Sequence, residues 1–188
     1  MENNVKIAII IPIHNGLEYT KICLKSLYES INNSSIKDNI SIIIVDDGSI
    51  DGSADWIKSN YPEFIILKGD GNLWWSGGVN LGTRYALNNL KSDYILLWNN
   101  DIKPDIKYFS NLFVIIENLD DDTIVGSKIY LLERPNVIWS MGGIFNHRTG
   151  VYKMIGMNKI DNEQFNDIIS VDWNTGMGTL IPKSVFEK

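Results

Sequence analysis

Short apolar runs alternate with stretches of helical spacing along the first two thirds of the chain. The runs Val5–Ile11, Ile40–Val45, Phe64–Leu67 and Tyr94–Trp98 read as strands, because continuous apolar residues suit a strand buried on both faces. Between them, Leu17, Leu24, Leu27, Tyr28 and Ile31 mark a helix over Leu17–Ile31. Asn32–Asp38 reads as a polar turn. Ser53–Asn60 predicts a short helix stopped before Pro62. Ser76–Leu90 predicts a helix opened by glycines, and Pro104–Leu119 one with proline in its first turn. From Thr123 onward the segments are short and β-like, with turns at Gly142-Gly143 and Arg148-Thr149-Gly150. Pro182–Lys188 reads as a helix just begun. This rhythm predicts an α/β fold with a mainly parallel central sheet flanked by helices, and a short mixed β region toward the C-terminus. One domain is expected over 1–188, in halves 1–120 and 121–188.

The polar residues that interrupt this pattern fall at strand ends. Ile10-Ile11-Pro12 runs into Ile13-His14-Asn15-Gly16, Ile44-Val45 into Asp46-Asp47-Gly48-Ser49, and Leu97-Trp98 into Asn99-Asn100-Asp101. Ligands of open α/β sheets bind outside the carboxyl ends of the strands, so three such ends describe one site. Composition changes this picture little: 44% hydrophobic and 21% charged residues are those of a globular domain. The formal net charge of -6 argues against a nucleic-acid surface, but a local cation could still offset an anionic ligand. Cys23 is the only cysteine, which excludes an internal disulfide and a cysteine-rich metal site; among Ile22, Leu24 and Leu27 it reads as core. Met1-Glu2-Asn3-Asn4 leads directly into a strand, and no apolar stretch approaches the ~18 residues of a membrane span. A cytoplasmic protein is expected, with docking at the inner face of a membrane compatible.

Each polar cluster carries two readings. Carboxylates at Asp46 and Asp47 suit the N–H of a base or ribose hydroxyls, while Gly48, Ser49 and Asp51 suit a capped turn into the next helix. Asp101 is a hard oxygen ligand for Mg²⁺ or Mn²⁺; as a lone carboxylate it needs phosphate oxygens to complete the shell. Otherwise Asn99-Asn100-Asp101 is a turn before Pro104. In Gly69-Asp70-Gly71-Asn72-Leu73-Trp74-Trp75-Ser76-Gly77-Gly78-Val79-Asn80-Leu81-Gly82, glycines opening a helix offer N–H groups to an anion, with Arg84 adding charge. Trp74 and Trp75 either stack on a base or sugar or fill the core. The spacing is neither a dinucleotide fingerprint nor a P-loop. Asp172-Trp173-Asn174-Thr175-Gly176 suits a sugar-binding wall or a buried turn. His14 either faces the strand-end site or is structural, and His147 lies in a hairpin turn.

In this order and spacing, the segments Ile10–Asn15, Val45–Gly52, Gly77–Gly82, Leu97–Asp101 and Trp173–Gly176 resemble family-2 glycosyltransferases of the GT-A fold. The similarity covers nearly the whole chain, and the rhamnosyltransferase-like branch of bacterial surface-polysaccharide synthesis looks closest. The resemblance implies inverting transfer of a sugar from a nucleoside diphosphate sugar (UDP-, dTDP- or GDP-linked) to a hydroxyl of a saccharide or lipid-linked saccharide. It implies that Pro12, His14, Asn15, Asp46, Asp47, Gly78, Asn80, Asn99 and Asn100 line the nucleotide-sugar pocket. It implies that Asp101 holds the divalent metal, Mg²⁺ or Mn²⁺, and that Trp173 and Gly176 face the acceptor. Asn99 stands where the family carries the first aspartate of its Asp-x-Asp motif. The family's general base lies in an acidic motif after the tryptophan–glycine segment, so the resemblance implies a base beyond Lys188, a C-terminally truncated chain and an incomplete acceptor half. Asp172 is the one stand-in within the sequence. Two other classes compete: a nucleotidyltransferase, disfavoured by the absence of a glycine-rich basic loop after the first strand, and a non-catalytic carbohydrate-binding module, favoured by the tryptophans.

Overall fold

The structure, a computed structural model, describes residues 5–118, 120 and 122–187. The opening Met1–Asn4, and the terminal residues Leu119 and Lys188 of two expected helices, lie outside them. The chain forms two compact units, one of residues up to 124 together with 180 onward, the other of 125–179.

The first unit is built on strands β1 (Ile7–Ile13), β2 (Ile40–Asp46), β3 (Ile65–Lys68) and β4 (Tyr94–Leu97). β1 pairs in parallel with β2 and with β4, and β2 with β3, so these four strands end at one edge. Ile10 lies between Ile43 and Leu97 in register, and Ile13 opposite Asp46. Ile7 to Ile11 are buried without a gap, as a strand covered by helices on both faces requires. The helices between strands are α1 (Leu17–Asn32), α2 (Ser53–Asn60), α3 (Trp74–Tyr85) and α4 (Tyr108–Ile116).

In the second unit, β5 (Ile129–Leu131) pairs antiparallel with β6 (Arg134–Ser140), and β7 (Gly143–Asn146) with β8 (Val151–Met154). The last two form the hairpin expected at Arg148-Thr149-Gly150. The chain then adds β9 (Thr179–Pro182) beside β4, completing the sheet order β3-β2-β1-β4-β9, and ends in α5 (Lys183–Phe186). No described helix is long and apolar enough to cross a membrane.

Boundaries differ from expectation where side chains intervene. The fourth helix starts at Tyr108, not Pro104, because Asp105 turns the chain first. Its carboxylate accepts the Lys107 N–H at 2.8 Å and its carbonyl accepts the Tyr108 N–H at 3.0 Å. The third helix begins two residues early, at Trp74, and its continuation over Ala86–Leu90 is π-helical.

Helix α3 lies on the sheet through glycine. A Cβ on Gly82 would overlap Cγ2 of Ile10, and one on Gly78 would stand 2.9 Å from Cβ of Pro12. Both glycines are buried. The close approach packs Ala8, Ile10, Ile43 and Val45 against Ala86 and partly buried Val79 and Leu81. Full burial of each isoleucine or valine side chain here contributes about 1.5–3 kcal/mol.

Candidate functional site

The parallel strands deliver three turns to one edge, and carboxylates hold those turns together. Asp46, 7% exposed, accepts the Ser49 N–H at 2.9 Å and so closes the turn after β2. Asp47, 5% exposed, reaches across to the 69–74 segment. Its Oδ1 accepts the Gly71 N–H at 2.8 Å; its Oδ2 accepts those of Leu73 at 2.8 Å and Trp74 at 3.0 Å. The N-terminus of α3 is therefore capped by a carboxylate from another strand, which also suits its positive dipole end. The anion that the glycine-rich segment called for is, at these amides, the protein's own. Arg84 stands ten residues beyond Trp74, about 15 Å along the helix, and adds no charge there.

Asp51 does similar work for two further helices. Its Oδ2 accepts the Leu17 N–H of α1 at 2.8 Å, and its Oδ1 accepts the Ser53 N–H of α2 at 3.0 Å and the Ser53 hydroxyl at 2.6 Å. The Ser53 hydroxyl bond, followed by the backbone amides, holds its carboxyl below the usual carboxylate range. Asn15, in the left-handed region at φ 60°, links the turns after β1 and β2. Its N–H donates to Ser49 Oγ at 2.8 Å, and its Oδ1 accepts the Ile50 N–H at 2.9 Å.

Between these turns lies a cavity of about 280 Å³ lined by Pro12, Ile13, His14, Asp47, Gly71, Trp74 and Trp75. His14 Nδ1 donates to the Asp47 carbonyl at 2.6 Å. A carbonyl only accepts, so a proton sits on Nδ1, and Nε2 has no partner among the described residues. Trp74 is 79% exposed and Trp75 39%, so neither is the core residue that one reading of the sequence allowed. Trp74 also adopts a left-handed φ of 56°, a conformation that costs a bulky residue of order 1 kcal/mol. The hydrogen bond that its N–H donates to Asp47 Oδ2 holds it there.

The turn after β4 is linked to this cavity through Trp75. Trp98 is buried and begins the turn. Asn99 accepts the Trp75 indole N–H on Oδ1 at 2.9 Å, and Asn100 donates from Nδ2 to Thr20 Oγ1 at 2.9 Å. Asp101 is exposed. Among the described residues no three His, Cys, Asp or Glu side chains are grouped to hold a metal ion. The donor set at Asp101 thus fits a hard cation that arrives with ligand oxygens, and not a resident ion in an all-protein cage. Cys23 is core, as expected: it is 1% exposed, its thiol donates to the Asn99 carbonyl at 3.4 Å, and burial pushes its pKa up to about 12.

Of the other residues singled out in the sequence, Gly78 is buried beneath Pro12, and Asn80 is exposed on α3 outside the cavity lining. Asp172, Trp173 and Gly176 belong to the second unit. There Asp172 Oδ2 accepts the Phe145 N–H at 2.8 Å, and the Trp173 ring lies on Gly143 and edge-on to Tyr152. The roles of Thr20 and of Asp51 toward α1 escaped the sequence reading, since each partner is distant in the chain. Only Asp51's cap on α2 was legible.

Comparison with known proteins places this edge in context. The sequence profile described as Glycosyl transferase family 2 matches residues 8–187. The chain belongs to that family. The poly(ribitol-phosphate) beta-glucosyltransferase of Bacillus spizizenii is 33% identical over 100 residues, covering 52% of this chain and 15% of that protein. Crystalline TarS 1–349 of S. aureus aligns with 97% of this chain and 48% of its own, at TM-score 0.60 and 13% identity. The mannosyltransferase PcManGT of Pyrobaculum calidifontis, in complex with GDP-Man and Mn²⁺, aligns at TM-score 0.55 and 14% identity over 67% of this chain and 36% of its own. The fold is therefore GT-A, with a mostly parallel central sheet and a short antiparallel part, as the sequence predicted. The chain spans between 15% and 50% of the length of the curated relatives it matches.

Proposed function

We propose that the strand-end cavity binds a nucleoside diphosphate sugar and that the chain transfers its sugar to an acceptor hydroxyl with inversion, in synthesis of a bacterial surface polysaccharide. The observation that carries this reading is the edge itself. An aromatic-walled cavity, Nε2 of His14 and the exposed Asp101 stand at the ends of neighbouring parallel strands. Trp74 and Trp75 offer faces to a base or sugar. Pro12, His14, Asn15, Asp46, Asp47, Gly78, Asn99 and Asn100 are proposed to form or support the donor side, several through the hydrogen bonds described above, and Asn80 is assigned to it on the motif resemblance alone. Asp101 would hold Mg²⁺ or Mn²⁺ together with diphosphate oxygens, and such an ion stabilises charge on the departing diphosphate. The neighbour that carries GDP-Man and Mn²⁺ supports this assignment.

In the reaction the acceptor oxygen bonds to the anomeric carbon as the bond from that carbon to the diphosphate oxygen breaks. The hydroxyl proton passes to a general base. Asp172, whose Oδ2 accepts the Phe145 N–H, is only a weak stand-in for that base. Trp173 and Gly176 are proposed to face the acceptor, a saccharide or lipid-linked saccharide. A rhamnosyl donor is the favoured case, on the motif resemblance alone.

Calorimetric titration with UDP, dTDP and GDP, each with and without Mn²⁺, tests the reading. One nucleotide should bind, more tightly with Mn²⁺, and Asp101→Ala should remove most of the metal's contribution, roughly tenfold or more in Kd. Failure of all three to bind sinks the donor-site assignment.

A further inference from the structure

Asn99 stands where the family pattern has an aspartate, and its side chain is held by one bond, from the Trp75 indole N–H to Oδ1 at 2.9 Å. An indole N–H donates and never accepts. The amide atom facing it must therefore be the oxygen, which fixes the amide's orientation without further assumption. The Nδ2 group is turned away from the indole, and among the described residues it meets no acceptor. Trp75 itself lines the cavity and is only partly exposed. Its ring thus joins the cavity wall to the turn after β4.

We infer that Trp75 is a positioning residue that locks Asn99 as a hydrogen-bond donor toward a diphosphate oxygen of the bound nucleotide, leaving Asp101 as the only carboxylate at that turn to serve a metal. This rests on the donor-site reading above. It gives the asparagine a chemistry of its own. An aspartate there would also accept the indole N–H, but it would present a negative charge to the diphosphate in place of an N–H donor. Asparagine lets the turn attract phosphate directly, so part of nucleotide binding persists without metal.

Three variants separate the elements of this idea. Trp75→Phe keeps an aromatic face, smaller than the indole, and removes the N–H donor. Asn99→Asp keeps the indole bond and removes the Nδ2 donor. Asn99→Ala removes both. Titration with the nucleotide that binds the wild-type chain, with and without Mn²⁺, is the readout. Trp75→Phe should weaken binding by about fivefold in both conditions, the worth of one ordinary hydrogen bond. Asn99→Asp should lose about tenfold or more without metal and recover to within a few-fold of wild type with Mn²⁺. In the Asn99→Ala background, Trp75→Phe should have a clearly smaller effect than in the wild-type background, no more than the stacking area lost with the smaller ring, because the indole N–H acts through the amide.

An undiminished Trp75→Phe effect in that background overturns the inference, as does Asn99→Asp binding as well as wild type without metal. If the wild-type chain binds no nucleoside diphosphate, the donor-site reading falls and this inference with it. If it binds and the variants bind equally, only this inference falls. The ¹⁵N-resolved side-chain amide of Asn99 gives a nucleotide-free check: its resonances should move in Trp75→Phe, with unchanged thermal stability. Unmoved resonances count against the lock.

Discussion

Asp47 shows how one carboxylate at a strand end can be structural and still border a ligand site. Its two oxygens take three backbone amides of the 69–74 segment while the residue lines the cavity. Asp47→Asn keeps the size and leaves one acceptor oxygen, so an NH₂ group must face either Gly71 N–H or the Leu73 and Trp74 pair. The variant should lose about 1–3 kcal/mol of stability, measured by urea unfolding. It should also loosen Trp74, seen as faster exchange of the Leu73 and Trp74 amides. Retention of full stability would show that the carboxylate's amide bonds matter little. The sequence named this aspartate, but its partners lie 24 to 27 residues away, and no local pattern reports that reach.

The helices of the first unit are placed by caps and by close approach more than by their own propensity. Asp51 caps α1 and α2 together, so Asp51→Ala should cost about 1–2 kcal/mol. Its folded pKa lies below the ordinary carboxylate value, so its contribution is complete above that value and disappears as pH falls through the folded one. The stability gap between wild type and Asp51→Ala should therefore be full at neutral pH and close below about pH 4; a gap unchanged at pH 3 would contradict this. Packing decides the position of α3. Gly82→Ala gains helix propensity of about 1 kcal/mol, yet its methyl must displace Ile10 in a core with no room. Overpacking of about 1–3 kcal/mol should outweigh the gain, and the denaturation midpoint should fall. The glycines opening α3 looked in the sequence like an anion cradle. At Gly78 and Gly82 the structure uses them for contact with the sheet.

Taken whole, the chain is acidic, with a formal net charge of -6, and Asp46, Asp47, Asp51 and Asp101 all lie at the turns after β2 and β4. An anionic ligand approaching without metal meets a repulsive field that salt screens over about 10 Å at 0.1 M. Metal-free nucleotide affinity should therefore rise, not fall, as NaCl increases from about 20 to 200 mM. A steep loss with salt would mean that a basic surface captures the phosphates instead.

The alternation of apolar runs and helical spacing determined the α/β class, the parallel strands and the edge where polar residues gather. Those features follow from burial, and burial is written in hydrophobicity along the chain. The motifs likewise determined the family. What the tertiary structure alone decided is which of those polar groups are occupied. Asp46, Asp47 and Asp51 hold turns and helix ends, and Trp74 and Trp75 face outward at the cavity. Trp75 fixes Asn99. Each of these depends on partners brought together across the sheet, by a register that places Ile13 beside Asp46 and Ile10 beside Leu97. A hydrogen bond reads distance and direction in space, so its partners are not visible in the order of residues.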